Sequence, residues 1–315
     1  MKTIIRNTAA LVLSAITIST FAQNTAREFG GFQSPESVGA YKKHLYVSNM
    51  GANNDPSKKD GDGYISKVNR NSGTIAEEKF ITGLNSPKGM LVGHGYILVA
   101  DVDKVLVYRI KDKKKVWETD LSKEGITYAN DIAIRGWGSA FVSSTDKNAI
   151  YIAKANGKVK KLPVKGNLEG ANGIIKKCGK LYVANYGRGT DPNGSYGKVS
   201  LCSKKFKVYN KGGVYDGIAP LCGKLLLTDW RNTTDGKGRL IVYRKCKKEE
   251  VAINIGRDIN GPSDLFVDRK YKAVWVPAMN ENRLIMVQLK DIKMQAKKNK
   301  GAKVAMAKTK KEKKA

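Results

Sequence analysis

A short pattern recurs six times along this 315-residue chain and limits the folds that the chain can adopt. Each copy has a small turn, a short strand, a tight turn and a second strand, which often ends in Asn or Asp, as in segment 170–185. The copies align at residues 35, 87, 129, 171, 215 and 262, with steps of 52, 42, 42, 44 and 47 residues. A period in the forties with two or more strands per repeat is typical of a propeller blade.

The repeat predicts an all-β chain, a six-bladed β-propeller, in preference to an ordinary sandwich with accidental internal similarity. A single four-stranded blade cannot bury both of its faces, so neighbouring blades must cover them, and a closed ring leaves no long open edge. Glycine is plentiful, with 32 residues, and proline is modest, with 8. This composition suits turn-rich β structure and argues against a protein of long helices.

The first 22 residues resemble a secretory signal peptide. Lys2 and Arg6 form a basic start, the segment 8–21 is mostly apolar, and Ala22 is a small residue before a cut ahead of Gln23. The alternative is an uncleaved membrane anchor, but the apolar run is short and contains several Ser and Thr residues. No other stretch is apolar enough to span a bilayer. We therefore expect a periplasmic or secreted protein with no transmembrane span.

The propeller is assigned to residues 23–290. The last repeat has a third strand at 283–290 but no fourth strand before the lysine-rich end of the chain. The stretch 26–33 resembles the end of a blade, so we predict that this N-terminal strand completes the last blade and closes the ring. We expect the closed propeller to be a monomer.

Residues 291–315 are predicted to form a disordered basic tail. The part from Lys293 onward carries ten lysines, one glutamate and no aromatic residue, and such runs repel themselves and stay unfolded. The tail is a candidate for holding the protein to an anionic envelope surface. The alternative is a solvated tail without a partner.

The formal net charge of +30 at first favours nucleic-acid binding. Two observations argue against it. Export would remove most of the opportunity to meet nucleic acid, and the basic tail lacks aromatic residues for base stacking.

The four cysteines occupy equivalent places in blades four and five. Cys178 and Cys222 lie in the first turn of their blades, and Cys202 and Cys246 follow the third strand 24 residues later. Four cysteines allow three pairings, and the repeat symmetry selects Cys178–Cys202 and Cys222–Cys246. An oxidising compartment would permit these disulfides. The alternative is four buried thiols, and a zinc site is disfavoured because no CxxC spacing occurs.

One position of the repeat carries a polar side chain in all six copies. The residue that opens the first strand of each blade is expected to point toward the central channel; in order these residues are Glu36, Lys88, Asn130, Asn172, Asp216 and Ser263. Carboxylate and carboxamide oxygens suit a hard cation, calcium above all. Soft metals are disfavoured, because no His or Cys lies at this register.

Four of these residues carry a family resemblance. The contexts PES at Glu36, NDI at Asn130, NGI at Asn172 and DGI at Asp216 resemble the motifs of the regucalcin, gluconolactonase and luciferin-regenerating-enzyme family of six-bladed propellers. The resemblance covers about residues 26–290. It implies that these four side chains hold one calcium or other divalent ion at the channel mouth.

The resemblance also implies an activity, the hydrolysis of lactones or related esters. In this reading Asp216 activates water as the catalytic base, and the ion stabilises the oxyanion. The residues expected to contact a small-molecule lactone or ester are Lys88, Tyr128, Asn185, Trp230 and Ser263. The competing hypothesis is a non-catalytic propeller that binds a peptide, a glycan or an envelope component, because Lys88 places an ammonium group in the polar ring and repels a cation.

Overall fold

A computed structural model describes residues 26–297 except residues 190 and 246. The predicted signal peptide at 1–22 and residues 298–315 of the predicted tail lie outside the described residues. Within them, 24 β-strands form six four-stranded sheets.

The first three blades follow one another along the chain. Blade one contains β2 (Pro35–Tyr41), β3 (His44–Asn49), β4 (Gly63–Asn69) and β5 (Ile75–Leu84). Blade two contains β6 (Pro87–Gly93), β7 (Tyr96–Asp101), β8 (Lys104–Arg109) and β9 (Lys114–Asp120). Blade three contains β10 (Ala129–Gly136), β11 (Ser139–Ser144), β12 (Ala149–Lys154) and β13 (Val159–Lys161).

The other three blades repeat the arrangement. Blade four contains β14 (Ala171–Lys177), β15 (Lys180–Asn185), β16 (Gly194–Ser200) and β17 (Phe206–Gly213). Blade five contains β18 (Tyr215–Leu221), β19 (Lys224–Asp229), β20 (Arg239–Arg244) and β21 (Glu249–Ile253). Blade six contains β22 (Phe266–Asp268), β23 (Ala273–Ala278), β24 (Arg283–Gln288) and β1 (Arg27–Phe29). Short 3-10 helices cover Ser122–Glu124 and Met279–Glu281.

These sheets confirm the six-bladed β-propeller predicted from the repeat. Strands within each blade pair antiparallel in the order first, second, third and fourth, and the first strands of successive blades pack against one another around the axis. Six clusters of buried apolar side chains fill the ring. One of them joins Leu226 and Val242 of blade five to Val276 and Ile285 of blade six. Each blade therefore buries its faces only because its neighbours cover them.

The N-terminal strand closes the ring, as predicted. β1 pairs antiparallel with β24, with Arg27 opposite Met286 and Phe29 opposite Leu284. The Phe29 ring lies 5.8 Å from the Trp275 ring, measured between centroids. The first and last strands of the chain thus share one sheet, and β1 covers the outer edge of β24.

The recurrent Asn or Asp at the end of the second strand has a structural role in several blades. The Asn49 side chain accepts a hydrogen bond from the Gln33 backbone (3.1 Å), and Asp229 accepts one from Val214 (3.2 Å). Asp101 accepts bonds from the backbone of Asn85 and Ser86. Each of these side chains fastens the end of the second strand to the segment that leads into the first strand of the same blade. This need for an acceptor explains why Asn and Asp recur there.

The connections divide into two ends of the propeller. We call the first end the loop face; it contains the segments 30–34, 50–62, 85–86, 102–103, 121–128, 145–148, 162–170, 186–193, 214, 230–238, 254–265 and 279–282. We call the opposite end the turn face; it contains the segments 42–43, 70–74, 94–95, 110–113, 137–138, 155–158, 178–179, 201–205, 222–223, 245–248 and 269–272. The first strands begin at the loop face, so the polar ring residues lie near that end.

The predicted tail begins in ordered structure. Residues 289–297 form a helix, so the first seven residues assigned to the tail, 291–297, belong to it. Ile292 and Ala296 are buried in the apolar cluster of blades five and six. They are four residues apart, so they lie on the same side of a helix, and their burial favours helical structure here. No helix of the described residues is long and apolar enough to cross a membrane.

The cysteines differ from the predicted pairing. Cys178, Cys202 and Cys222 are free thiols and are exposed, so the expectation of buried thiols is wrong for these three. The predicted Cys178–Cys202 bond is not formed in this structure, and Cys246 lies outside the described residues. The turns that carry Cys178 and Cys202 nevertheless adjoin, because the Leu201 backbone donates to the Gly179 carbonyl (3.1 Å). The predicted disulfides therefore remain predictions.

We predict that closure by β1 stabilises the whole ring. Removal of residues 26–31 exposes the edge of β24 and should abolish cooperative thermal unfolding. The milder change Phe29→Ala removes the contact with Trp275 and should lower the free energy of unfolding by about 2 kcal/mol, less than for a fully buried Phe. Thermal and urea unfolding followed by circular dichroism measure both effects.

The matched control is Val208→Ala, which shortens an exposed side chain on β17, the outer strand of blade four. This change should stay within roughly 0.5 kcal/mol of the unmodified protein. A truncated protein that unfolds cooperatively at the original temperature would contradict the closure account.

Candidate functional site

The ring residues lie at irregular points of the innermost strands. The pairing of first and second strands shifts register between Pro35 and Val38, and equivalent shifts occur in the next four blades after residues 87, 129, 171 and 215. Such bulges turn a side chain away from its regular alternation and are frequent at functional sites. The repeat therefore encodes a bulge at the ring position in five of the six blades, whereas Ser263 of blade six precedes β22.

The predicted metal ligands are all buried. Glu36, Asn130, Asn172 and Asp216 expose between 2% and 5% of their surface. Oε2 of Glu36 and Oδ1 of Asp216 are buried and have no hydrogen-bond partner. The Asn130 amide donates to Thr145 Oγ1 (3.1 Å). Two carboxylate oxygens of the ring thus make no hydrogen bond, although Asn172 and Trp230 lie near enough to Asp216 to lower its pKa.

Burial and mutual repulsion raise the pKa values of the carboxyl groups of the ring. Burial is the main cause that raises the pKa of Glu36 well above its usual range, and the charges of Asp216 and Asp264 add to the rise. Burial also raises the pKa of Asp216 to about 8, again with a contribution from Asp264. The structure therefore brings carboxyl groups of blades one, five and six within electrostatic reach of one another.

Lys88 is fully buried within the ring. Its ammonium donates to the Ser86 carbonyl (2.9 Å) and lies 4.8 Å from the centre of the Tyr128 ring. Burial lowers the pKa of Lys88 to about 8, although the nearby Glu36 carboxylate opposes this shift. The positive charge is therefore held toward Tyr128 by a backbone oxygen and an aromatic face.

Two further carboxylates, the buried Asp131 and the half-buried Asp264, stand one residue beyond the predicted ring, and the sequence reasoning missed them. Asp131 accepts hydrogen bonds from the backbone of Ile132 (2.6 Å) and of Ile174 in the next blade (2.7 Å). Asp264 accepts from Leu265 (2.7 Å) and from the Ser37 hydroxyl of blade one (2.6 Å). Both carboxylates therefore join neighbouring blades. The available signal was the residue that follows the ring position, which is Asp in NDI and PSD but Gly in three other copies.

These inner carboxylates add negative charge beside the ring. Burial raises the pKa of Asp264 to about 6. Burial and the charge of Asp264 raise the pKa of Asp131 well above its usual range. With Glu36 and Asp216, they place three buried carboxyl groups, one half-buried carboxyl group and the ammonium of Lys88 around the channel. Full ionisation would leave a net charge of −3, which a divalent cation would largely offset.

The predicted contacts Tyr128 and Trp230 lie at the loop face together with a third aromatic residue, Tyr186. Tyr186 and Trp230 meet edge to face, with ring centroids 5.6 Å apart. Burial raises the pKa of Tyr128 far above its usual range, and the charges of Asp216 and Glu36 contribute. Trp230 Nε1 is buried and lies near the Asp216 carboxyl group, whose pKa it lowers. Tyr128, Tyr186 and Trp230 thus surround the approach to the carboxyl groups.

The other two predicted substrate contacts are placed differently. Asn185 is fully buried, and its amide donates to Ser195 Oγ on the neighbouring strand (3.0 Å). Ser263 is also fully buried, and its hydroxyl donates to the Pro35 carbonyl (3.2 Å). Both side chains therefore bond to other strands, while Oδ1 of Asn185 has no hydrogen-bond partner, and their contact with a substrate stays a prediction.

The donor set of the ring fits a hard cation. Two carboxylates and two carboxamides offer only oxygen on their acceptor side, and the unpartnered oxygens of Glu36 and Asp216 are the expected mark of a missing positive partner. In the described part of the chain, no group of three or more His, Cys, Asp or Glu is arranged to hold a metal ion. The predicted set contains only two residues of those types, so its fit depends on the amides as well.

Comparison with known proteins shows the fold. No protein-family model matches the chain, and no curated protein matches it by sequence. Virginiamycin B lyase from Staphylococcus aureus superposes with a TM-score of 0.58 at 15% identity, over 84% of this chain and 99% of that one.

Two other structures are similar to a comparable degree. The nidogen/laminin complex gives a TM-score of 0.56 at 12% identity, over 74% of this chain and 88% of that one. The extracellular domain of BT4673 from B. thetaiotaomicron gives 0.53 at 14% identity, over 80% of this chain and 32% of that one. At these identities the likeness extends to the propeller alone, and the resemblance to the regucalcin family is not confirmed.

The buried carboxyl groups predict a pH-dependent stability. Asp216 has a folded-state pKa of about 8 against an ordinary value of 3.8, so the folded protein keeps a proton that the unfolded chain releases between these values. The contribution of Asp216 to stability is therefore fully present below about pH 4 and is lost as the pH rises toward 8. In the presence of a chelator, we expect the thermal midpoint to fall by on the order of 5 °C between pH 5 and 7.5.

The change Asp216→Asn removes the titrating group and should flatten this fall. Asp191→Asn, at an exposed position of the loop face, is the matched control and should leave the slope unchanged. Equal slopes for all three proteins would show that Asp216 does not hold its proton in the folded state.

Proposed function

We propose that this chain is a divalent-cation-dependent hydrolase of lactones or related esters, with its site at the loop-face mouth of the channel. One observation carries the proposal: Glu36 and Asp216, from blades one and five, each present a buried carboxylate oxygen without a partner. Leaving two such oxygens unpaired costs stability unless something positive occupies the space between them. The superposition on a lyase supports an enzyme on this fold.

Glu36, Asn130, Asn172 and Asp216 would hold the ion, with calcium as the first candidate and another divalent cation as the alternative. When bound, the ion would polarise the carbonyl of an ester and stabilise negative charge on its oxygen. The oxygen-only donor set supports a hard cation, because thiol and imidazole ligands are absent from these positions.

Asp216 is the proposed general base. Its pKa of about 8 lies near neutral pH, where a carboxylate is a stronger proton acceptor than an exposed Asp. Asp216 would take a proton from an attacking water molecule and return it to the leaving alcohol. Tyr128, Tyr186 and Trp230 would hold the apolar part of the substrate and limit the access of further water.

Lys88 would complement negative charge that develops on the substrate. Its ammonium lies beside Tyr128, at the edge of the proposed substrate space, and is attracted by the negative charge of Glu36. Asn185 and Ser263 would act through the strands to which they bond, and direct contact with substrate would need a rearrangement. The same Lys88 charge favours the second candidate function, a propeller that binds an anionic partner without catalysis.

We further propose that the protein is exported. The proposal rests on the basic and apolar order of residues 1–22 and on the predicted disulfides Cys178–Cys202 and Cys222–Cys246. After expression in an oxidising compartment, the intact mass should be four hydrogens lighter than that of the reduced chain. An unchanged mass, with all four thiols open to alkylation, would contradict this part of the proposal.

Calcium binding and hydrolysis are tested together on purified protein. At a calcium concentration of about 100 times the dissociation constant, binding should stabilise the folded protein by about 2.7 kcal/mol. The thermal midpoint should then rise by roughly 5 °C. A panel of γ- and δ-lactones and aryl esters should be hydrolysed only when the divalent ion is present. Asp216→Ala should lose both the thermal shift and at least about 100-fold in hydrolysis rate.

The matched control is Asp235→Ala, at an exposed position in a loop of the same face, which should keep both properties. Calcium stabilisation without hydrolysis of any substrate would favour the non-catalytic alternative. Absence of both a thermal shift and hydrolysis in the unmodified protein would refute the proposed site.

A further inference from the structure

The fold sorts the charge of this chain onto one end. The turn face carries 14 Lys or Arg against one Asp, a net charge of 14 − 1 = +13. The loop face carries nine Lys or Arg against twelve Asp or Glu, a net charge of 9 − 12 = −3. The basic residues are spaced along the sequence, but the blade repeat returns the chain to the turn face twice per blade. The propeller is therefore strongly polarised along its axis.

Most of the turn-face charge is free to meet a partner. Arg70 forms a buried ion pair with Asp268, and Lys113 pairs with Glu77 at the surface. Apart from Arg70, eleven of the thirteen basic residues are exposed. Repulsion among so many like charges destabilises an isolated protein, so the arrangement favours a surface of opposite charge.

A protruding aromatic residue stands on the same face. Trp137 lies at the tip of the β10–β11 hairpin and is fully exposed, with a relative exposure of 103%. Ile134 on the same hairpin is 51% exposed. The Arg135 carbonyl accepts a hydrogen bond from Lys176 of blade four (2.7 Å), which ties this hairpin to its neighbour. An exposed Trp with adjoining apolar and basic side chains is characteristic of the membrane–water interface.

A basic recess opens on the turn face between blades one and two. Its volume is about 630 Å³, and its basic lining residues are Lys42, His44, Lys67, His94, Arg109 and Lys111. These include both histidines of the chain. No Asp or Glu lines the recess in the described part of the chain, although Asp112 pairs with Arg109. Tyr41 and Tyr96 add aromatic surface, so the recess suits a phosphate group attached to a larger polar headgroup.

Both described ends of the chain lie near this face. Residue 26 precedes β1, which starts beside Met286 near the end of β24. At the other end, the Ala296 carbonyl accepts from Lys224, which directly follows the turn 222–223. The sequence from residue 298 to residue 315 adds eight lysines.

From charge, aromatic exposure and the recess together, we propose that the turn face docks on an anionic phospholipid membrane. Trp137 and Ile134 enter the interface, the exposed lysines meet lipid phosphates, and the recess receives one headgroup. The loop face with its candidate site then points away from the membrane, into the surrounding solution. This proposal does not depend on the activity proposed for the channel.

The test is co-sedimentation of the full chain with vesicles. Vesicles that mix phosphatidylglycerol with phosphatidylcholine should bind the protein, and vesicles of phosphatidylcholine alone should not. The double change Lys43→Glu with Lys270→Glu reverses two exposed turn-face charges and should weaken binding about tenfold or more, since each basic residue near a membrane contributes about 1 kcal/mol. The matched control, Lys123→Glu with Lys237→Glu, makes the same charge change on the loop face and should bind as the original does.

Tryptophan emission reports the docking directly. The emission maximum should shift to shorter wavelength with anionic vesicles, and Trp137→Phe should remove that shift without altering the unfolding temperature. Equal weakening by the turn-face and loop-face pairs would overturn the proposal, because net charge alone would explain the binding. Unchanged binding by the turn-face pair would also overturn it, as would tight binding to RNA with none to anionic vesicles.

Discussion

The burial of like-charged groups around a common axis is the constraint on which this structure depends. Glu36, Asp131, Asp216 and Asp264 come from four different blades and lie within electrostatic reach of one another. Two of them, Asp131 and Asp264, are satisfied by hydrogen bonds that link neighbouring blades. The other two are not, and an arrangement of this kind persists only if the closed ring holds it in place. Closure by β1 and β24 supplies that restraint.

Much of the fold was predictable because each blade of a propeller corresponds to one repeat of the sequence pattern. The six copies of the pattern predicted six blades, and the missing fourth strand of the last repeat predicted closure by the N-terminal segment. The docked helix at 289–297 was not predicted, because its lysines suggested a solvated tail. Its buried side is short, consisting of Leu289, Ile292 and Ala296, and its partner surface is assembled only by blades five and six.

The site was predictable only at the ring position itself. The register gave Glu36, Lys88 and Asp216, but not the bulges that accommodate them or the inner carboxylates Asp131 and Asp264. The environment of Lys88 also required the structure, since a backbone carbonyl and the Tyr128 ring hold its ammonium. Ser263 and Asn185 matched the repeat, yet their hydrogen bonds are to other strands. Sequence period locates a residue on a strand, whereas its partners come from neighbouring blades.

The two ends of the propeller have different chemistry, and the net charge of +30 hides this difference. Basic residues concentrate on the turn face, while the carboxyl groups and aromatic approach lie toward the loop face. Such a division lets one end meet an anionic surface while the other remains available to a soluble substrate. The candidate site lies at the end opposite to the turn face, because the first strand of each blade starts at the loop face.

The central claim is that Glu36 and Asp216 would together hold one divalent cation at the channel mouth. A crystal structure of protein grown with calcium tests it most directly. The account predicts an anomalous density peak between these two side chains, within about 2.3–2.6 Å of oxygen from both. A channel that contains only water, or an ion bound elsewhere while the two carboxyl groups share a proton, would contradict it.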